Sequence, residues 1–234
     1  MSDTESSKEE LILANEGLEK AFSRRKFFGI MGAGTAIMVT AAACRKDHGG
    51  NMNGGVNLGS GDIGILNYAY ALEQLEAAFY TAVIDTPYSG ISTMEMSYLK
   101  DVRDHEVAHR EFFKAALSTK AIQALEVNFS AIDFTSRTSV LGTAKAFEDL
   151  GVSAYNGAGQ LLVDPGLLGL AGKIVSVEAR HAALIRDLIT PGSFGDMTAV
   201  DAMGLDLVRA PKEVLSIAGA YLKTKLNANN LPTS

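Results

Sequence analysis

Two tetrapeptides carry residues that could do chemistry together: Glu106-Val107-Ala108-His109 and Glu178-Ala179-Arg180-His181. Residues three apart on a helix sit on one face, one turn apart. A carboxylate and an imidazole so placed can grip one divalent ion. A single E-x-x-H is a weak signal. Here there are two, and each is preceded by a helical stretch with a glutamate on its apolar face, Glu73 and Glu148. That arrangement describes a dinuclear metal site inside a four-helix bundle, so the chain is expected to be all-α.

The elements that must position these residues follow from apolar periodicity. The first helix is expected over Ile63–Ile84. Leu66, Tyr70, Glu73, Ala77, Tyr80 and Ile84 form one stripe, and Ala69, Leu72, Glu76, Phe79 and Val83 a neighbouring one. The second starts at the capping box Ser92-Thr93-Met94-Glu95 and runs to about Thr119, with Leu99, Val102, Glu106, His109, Phe113 and Ala116 on its stripe. Residues 120–137 read as irregular. About seventeen residues reach some 55 Å when extended, more than the roughly 38 Å of a 25-residue helix, so this connection can cross the whole bundle. The third helix is expected from Thr138 to Leu162 and carries Leu141, Ala144, Glu148, Val152 and Tyr155. Gly151, Gly157 and Gly159 lower its propensity and would allow close helix contact. Asp164-Pro165 opens the fourth helix as N-cap and first helical residue. Its stripe is Leu167, Ala171, Ile174, Glu178, His181, Ile185 and Leu188, and Pro191-Gly192 stops it. A short fifth helix is expected over Pro211–Lys225, outside the bundle or across one end.

The two helical hairpins look like copies of one unit. Each has a glutamate with a tyrosine seven residues on, Glu73…Tyr80 and Glu148…Tyr155, and each has E-x-x-H in its second helix. Seven residues return nearly to the same face. Glu76 has Gly151 as its counterpart, so the repeat favours Glu73 as the metal ligand, with Glu76 as the alternative. Tyr80 and Tyr155 fit either plain core aromatics or donors to a ligand carboxylate. His105 lies about 100° round the helix from Glu106 and reads as a surface or supporting residue, not a ligand. Glutamates at core positions must be protonated, paired or metal-bound, and no Lys or Arg shares these stripes. Two divalent cations would neutralise Glu73, Glu106, Glu148 and Glu178 and leave two neutral imidazoles. That donor set suits Fe or Mn.

Composition narrows the rest. A net charge of −6 gives no support to a nucleic-acid surface. The one cysteine, Cys44, leaves the body of the chain without a disulfide or a thiolate ligand. Residues 1–44 resemble a twin-arginine export signal: Ser23-Arg24-Arg25-Lys26-Phe27-Phe28 precedes an apolar run from Phe28 to Ala43 that is short and Gly/Ala-rich for a membrane span. Thr40-Ala41-Ala42-Ala43-Cys44 resembles a lipidation box with Cys44 as the lipidated N-terminus, and also fits an A-x-A cleavage site; Ala41 departs from the usual Leu or Val, but the sole cysteine at that place favours lipidation. Residues 45–62, rich in Gly and Asn, read as a flexible linker. The bundle is expected over 63–190 and a C-terminal extension over 191–234. Export then places the mature protein in the periplasm or on a membrane.

The order Glu…E-x-x-H…Glu…E-x-x-H resembles the ferritin-like di-iron carboxylate superfamily. More narrowly, Leu72-Glu73-Gln74-Leu75-Glu76-Ala77-Ala78-Phe79-Tyr80, Glu148-Asp149-Leu150-Gly151-Val152-Ser153-Ala154-Tyr155 and Ser176-Val177-Glu178-Ala179-Arg180-His181 are similar to the ferritin-like domain of desiccation-related proteins. The resemblance implies a ferritin-like four-helix bundle with one long crossover. It also implies two ions bridged by Glu106 and Glu178, with Glu73 and His109 on one and Glu148 and His181 on the other. It does not settle the reaction. Oxidation of Fe(II) or removal of peroxide is one expectation; a non-enzymatic module that binds metal and protects the envelope is the other. The expected partners are metal ions, the twin-arginine translocon during export, a membrane through a lipid on Cys44, and a second copy of the chain in a homodimer.

Overall fold

The structure is a computed structural model and describes residues 54–233. The twin-arginine segment, Cys44 and the linker up to residue 53 lie outside the described residues. Four long helices make the body: α1 (Gly61–Asp85), α2 (Thr93–Leu117), α3 (Arg137–Gly159) and α4 (Pro165–Ile189). The closest packing is within two hairpins, α1 on α2 and α3 on α4. The all-α bundle expected from the periodicity is the fold found.

Local chemistry sets the helix ends. The Ser92 hydroxyl accepts from the Glu95 amide at 3.1 Å and the Glu95 carboxylate accepts from the Ser92 amide at 3.4 Å, a complete capping box. Asp164 caps α4 by accepting from the amides of Gly166 and Leu167, with Pro165 in the first turn. At that same end Asp62, in the first turn of α1, accepts from the amides of Val163 and Asp164, both at 2.9 Å.

The connection between α2 and α3 begins with a 3₁₀ turn at Ser118–Lys120 and then runs beside α1. Two buried amides on α1, seven residues apart, hold it there. Asn67 donates to the carbonyls of Leu58 and Lys120 and accepts from the Ile122 amide at 2.9 Å. Gln74 accepts from the Leu125 amide at 2.9 Å and donates to the Gln123 carbonyl. Phe129 and Phe134 then pack on Phe79, each with ring centres 6.0 Å away. The segment ends where Arg137 binds Glu95, in the first turn of α2, and the Leu188 carbonyl at the end of α4. It therefore spans the bundle from one end to the other, as expected. Its cover explains why α1 is buried on several faces and not along two stripes only.

Helices α1 and α2 end within two residues of the expected places, and three boundaries differ by more. Helix α3 stops at Gly159, three residues early, and Leu161 and Leu162 turn towards α4. The fifth helix, α5, covers only Pro211–Ala218, followed by a 3₁₀ turn at Gly219–Tyr221. Beyond it the chain is needed as a strand: β1 (Val56–Asn57) pairs in parallel with β2 (Leu226–Asn227). The end of the expected linker is thus part of the folded body, with Leu58 fully enclosed. Neither two-residue strand is long enough to leave a periodic signal. Of Gly151, Gly157 and Gly159 in α3, Gly157 faces no helix. A Cβ there would stand 1.8 Å from the Arg209 carbonyl oxygen, so the segment before α5 lies directly on it. Gly159 faces Leu168 of α4 at ordinary contact distance, and Gly151 faces the Glu76 carboxylate.

Candidate metal centre

The bundle brings all six expected ligands together. Glu73 comes from α1, Glu106 and His109 from α2, Glu148 from α3, and Glu178 and His181 from α4. The four carboxylates are fully enclosed, His181 is 4% exposed, and the His109 side chain is 13% exposed. They form two overlapping groups, Glu73–Glu106–His109–Glu178 and Glu106–Glu148–Glu178–His181. Within each group one donor atom per residue lies within 4.8 Å of the others.

The shared glutamates divide their oxygens. Glu178 turns Oε1 to His109 Nδ1 at 2.9 Å and Oε2 to His181 Nδ1 at 3.9 Å. Glu106 does the reverse, with Oε1 2.8 Å from His181 Nδ1 and Oε2 3.7 Å from His109 Nδ1. The end carboxylates complete each group: Glu73 Oε2 is 3.4 Å from His109 Nδ1 and Glu148 Oε2 is 3.5 Å from His181 Nδ1. These nitrogens and oxygens are buried, yet none makes a well-directed hydrogen bond to another. Their lone pairs converge on the space between them. Buried polar atoms left so are costly, and a cation in each group is what this donor set fits.

The outward oxygens of the end carboxylates are held across the bundle. Tyr80 of α1 donates to Glu148 Oε1 of α3 at 2.5 Å, and Tyr155 of α3 donates to Glu73 Oε1 of α1. Each hairpin's tyrosine thus orients the other hairpin's glutamate, which chooses between the two readings of these tyrosines. Glu76 is also buried, but its carboxylate lies over Gly151 and belongs to neither group. His105 does not join the groups; its Nδ1 is 2.9 Å from His181 Nε2.

Electrostatics without metal are strained. Burial pushes Glu73 up to about 7, against the pull of His109. Burial, then repulsion from neighbouring carboxylates, pushes Glu76 and Glu178 well above the usual range. Burial also raises Glu148. Burial opposes ionisation of Glu106 too, but His109 and His181 hold it down to about 2. Burial would depress the histidines; contacts with Glu106 and Glu178 lift His109 to about 12, and those with Glu106 and Glu148 lift His181 to about 10. The metal-free centre therefore keeps itself near neutrality with protons.

Sequence reasoning did not find the ion pair beside the centre. Arg186 is fully buried on α4 and grips Asp149 with two bonds of 2.7 Å, while also binding Asp196 and Thr198. The adjacent Glu148-Asp149 pair splits its work: Glu148 turns inward, and Asp149 holds Arg186 of α4, which in turn binds the loop after that helix. In the sequence Arg186 lies one position off the apolar stripe, beside Ile185, and looks like one more surface charge of a helix that also carries Lys173, Arg180 and Asp187.

A family model described as a ferritin-like domain matches residues 61–191, which are α1 to α4 with their connections. No curated protein matches the chain.

Proposed function

The chain belongs to the ferritin-like domain family, and from that premise we propose that it binds a dinuclear Fe or Mn centre and uses it for redox chemistry in an exported protein. The observation that carries this is the division of the Glu106 and Glu178 oxygens between two histidines, with every inward donor atom buried and unsatisfied. Glu73 and His109 would hold one ion, Glu148 and His181 the other, and Glu106 and Glu178 both. A redox-active metal here would supply electron transfer to a small oxidant such as dioxygen or peroxide, with Fe(II) as the electron donor and second substrate when iron is oxidised. The protein's own part is charge and order. Four carboxylates balance two divalent ions, Tyr80 and Tyr155 fix the end carboxylates, and the apolar bundle keeps bulk water from the centre. Ser23-Arg24-Arg25 supports export of the folded, loaded protein, and Cys44 supports a lipid anchor.

The test is metal analysis of the exported protein purified without chelator, followed by addition of peroxide. Two Fe or Mn ions per chain and redox turnover are expected. Tight metal without turnover favours a non-enzymatic protective module. Absence of bound Fe and Mn contradicts the proposal.

A further inference from the structure

The repeat that relates the two hairpins is broken beside the centre. His105 precedes Glu106, whereas the matching position before Glu178 is Val177. His105 is exposed, and its Nδ1 stands 2.9 Å from Nε2 of His181. The two rings are tilted by only 12° and their centres are 5.1 Å apart. With the nitrogens so close, that separation is the one expected of imidazoles joined end to end nearly in one plane. It is a hydrogen bond, not a face-to-face stack. The other nitrogen of His181, Nδ1, faces Glu106 and Glu148.

A neutral imidazole carries one N–H. If His181 Nδ1 gives its lone pair to an ion, the proton stays on Nε2 and His105 Nδ1 accepts it. His109 has no such support: no hydrogen bond to its Nε2 is present among the described residues, and Val177 offers none. Resting on the dinuclear reading above, we propose that His105 is a positioning residue that makes the two metal positions unequal. It holds His181 in the metal-binding tautomer and orientation, so the Glu148–His181 position binds its ion more tightly than the Glu73–His109 position.

The test is calorimetric titration of the metal-stripped full chain with Mn(II), and anaerobically with Fe(II), for wild type, His105→Ala and His105→Asn. Wild type is expected to bind in two steps. His105→Ala is expected to weaken the tighter step about 10- to 100-fold and leave the weaker one in place. In His105→Asn the side-chain oxygen stands near the place of the lost Nδ1 and accepts the same bond, so the tighter step returns. Metal-free melting temperatures of both variants are expected to match wild type, because the residue is exposed. Two equal steps in wild type, an unchanged His105→Ala, equal weakening of both steps, or failure of His105→Asn to rescue would each overturn the inference and leave the dinuclear reading standing. Wild type that takes up neither metal overturns both.

Discussion

The choice between Glu73 and Glu76 turns on which carboxylate meets the histidines. Glu73 Oε2 approaches His109, and its other oxygen is held by Tyr155; Glu76 lies over Gly151, outside both donor groups. Glu73→Ala and Glu148→Ala are therefore expected to drop the content from two ions towards one per folded chain, and Glu76→Ala to keep two. Metal analysis of the three variants checks this, and loss of metal from Glu76→Ala alone would move the site to the neighbouring stripe of α1. Acid–base behaviour is the second residue-scale consequence. Glu73 is raised to about 7, so the folded metal-free protein holds a proton that the unfolded chain has lost from about pH 4.5 upward. Stability from that group is complete below its unfolded pKa and falls as pH rises through 7. The raised His181 and His109 act with the same sign, their contribution fading as pH climbs towards 10 and 12. Among the six inward residues Glu106, held at about 2, works the other way, and its contribution is lost in acid, as pH falls from about 4.5 through 2. Metal must displace these protons, so it binds better as pH rises. The melting temperature of the metal-free protein should fall between pH 6 and pH 8. The gap between loaded and metal-free protein should widen over the same range. Calorimetry at the two pH values measures both, and a narrowing gap would refute the assignment.

Helix ends and faces were largely legible because caps and stripes are local. Ser92, Glu95, Asp164 and Pro165 act where their spacing puts them. The six inward donors were legible because gripping a metal from a helix would impose the E-x-x-H spacing, and the hairpin repeats it. Tertiary choices were not legible. Nothing near Asn67 or Gln74 in the chain announces that their amides hold a segment some fifty residues away. The Arg186–Asp149 pair likewise joins two helices through residues that look like surface charges in isolation. Glycines in α3 suggested close helix contact, whereas Gly157 serves the segment at Arg209, whose amide also donates to the Ser153 carbonyl at 3.0 Å. This contrast is testable. Gly157→Ala drives a methyl into backbone and should cost about 1–3 kcal/mol or more. Gly142→Ala, with nothing within 4 Å of the added carbon in the same helix, should gain about 0.4–1 kcal/mol. Urea unfolding of both variants measures the difference, and equal effects would mean that the segment at Arg209 does not rest on α3.

At the scale of the whole molecule, the site is a property of the assembled bundle, since each donor group draws on three helices and the two together on all four. The crossover, pinned at Asn67 and at Arg137, fixes the two hairpins in register so that their glutamates meet. On the proposed reading, a chain that had to fold completely before binding metal would suit export in the folded state, so that loading would precede exposure to competing copper and zinc. Replacing Arg24 and Arg25 together with lysine is expected to leave precursor in the cytoplasm, and Cys44→Ala to release a membrane-bound form into the soluble fraction. Cell fractionation reads both, and unchanged export of the double-lysine variant would contradict the twin-arginine route. The central claim is more direct still: two ions share Glu106 and Glu178. Crystals of the metal-loaded protein, measured at the absorption edge of the bound metal, should show two anomalous peaks in the bundle. One should lie among Glu73, Glu106, His109 and Glu178, and the other among Glu106, Glu148, Glu178 and His181. A single peak, or a pair of peaks that does not share both bridging glutamates, would contradict it.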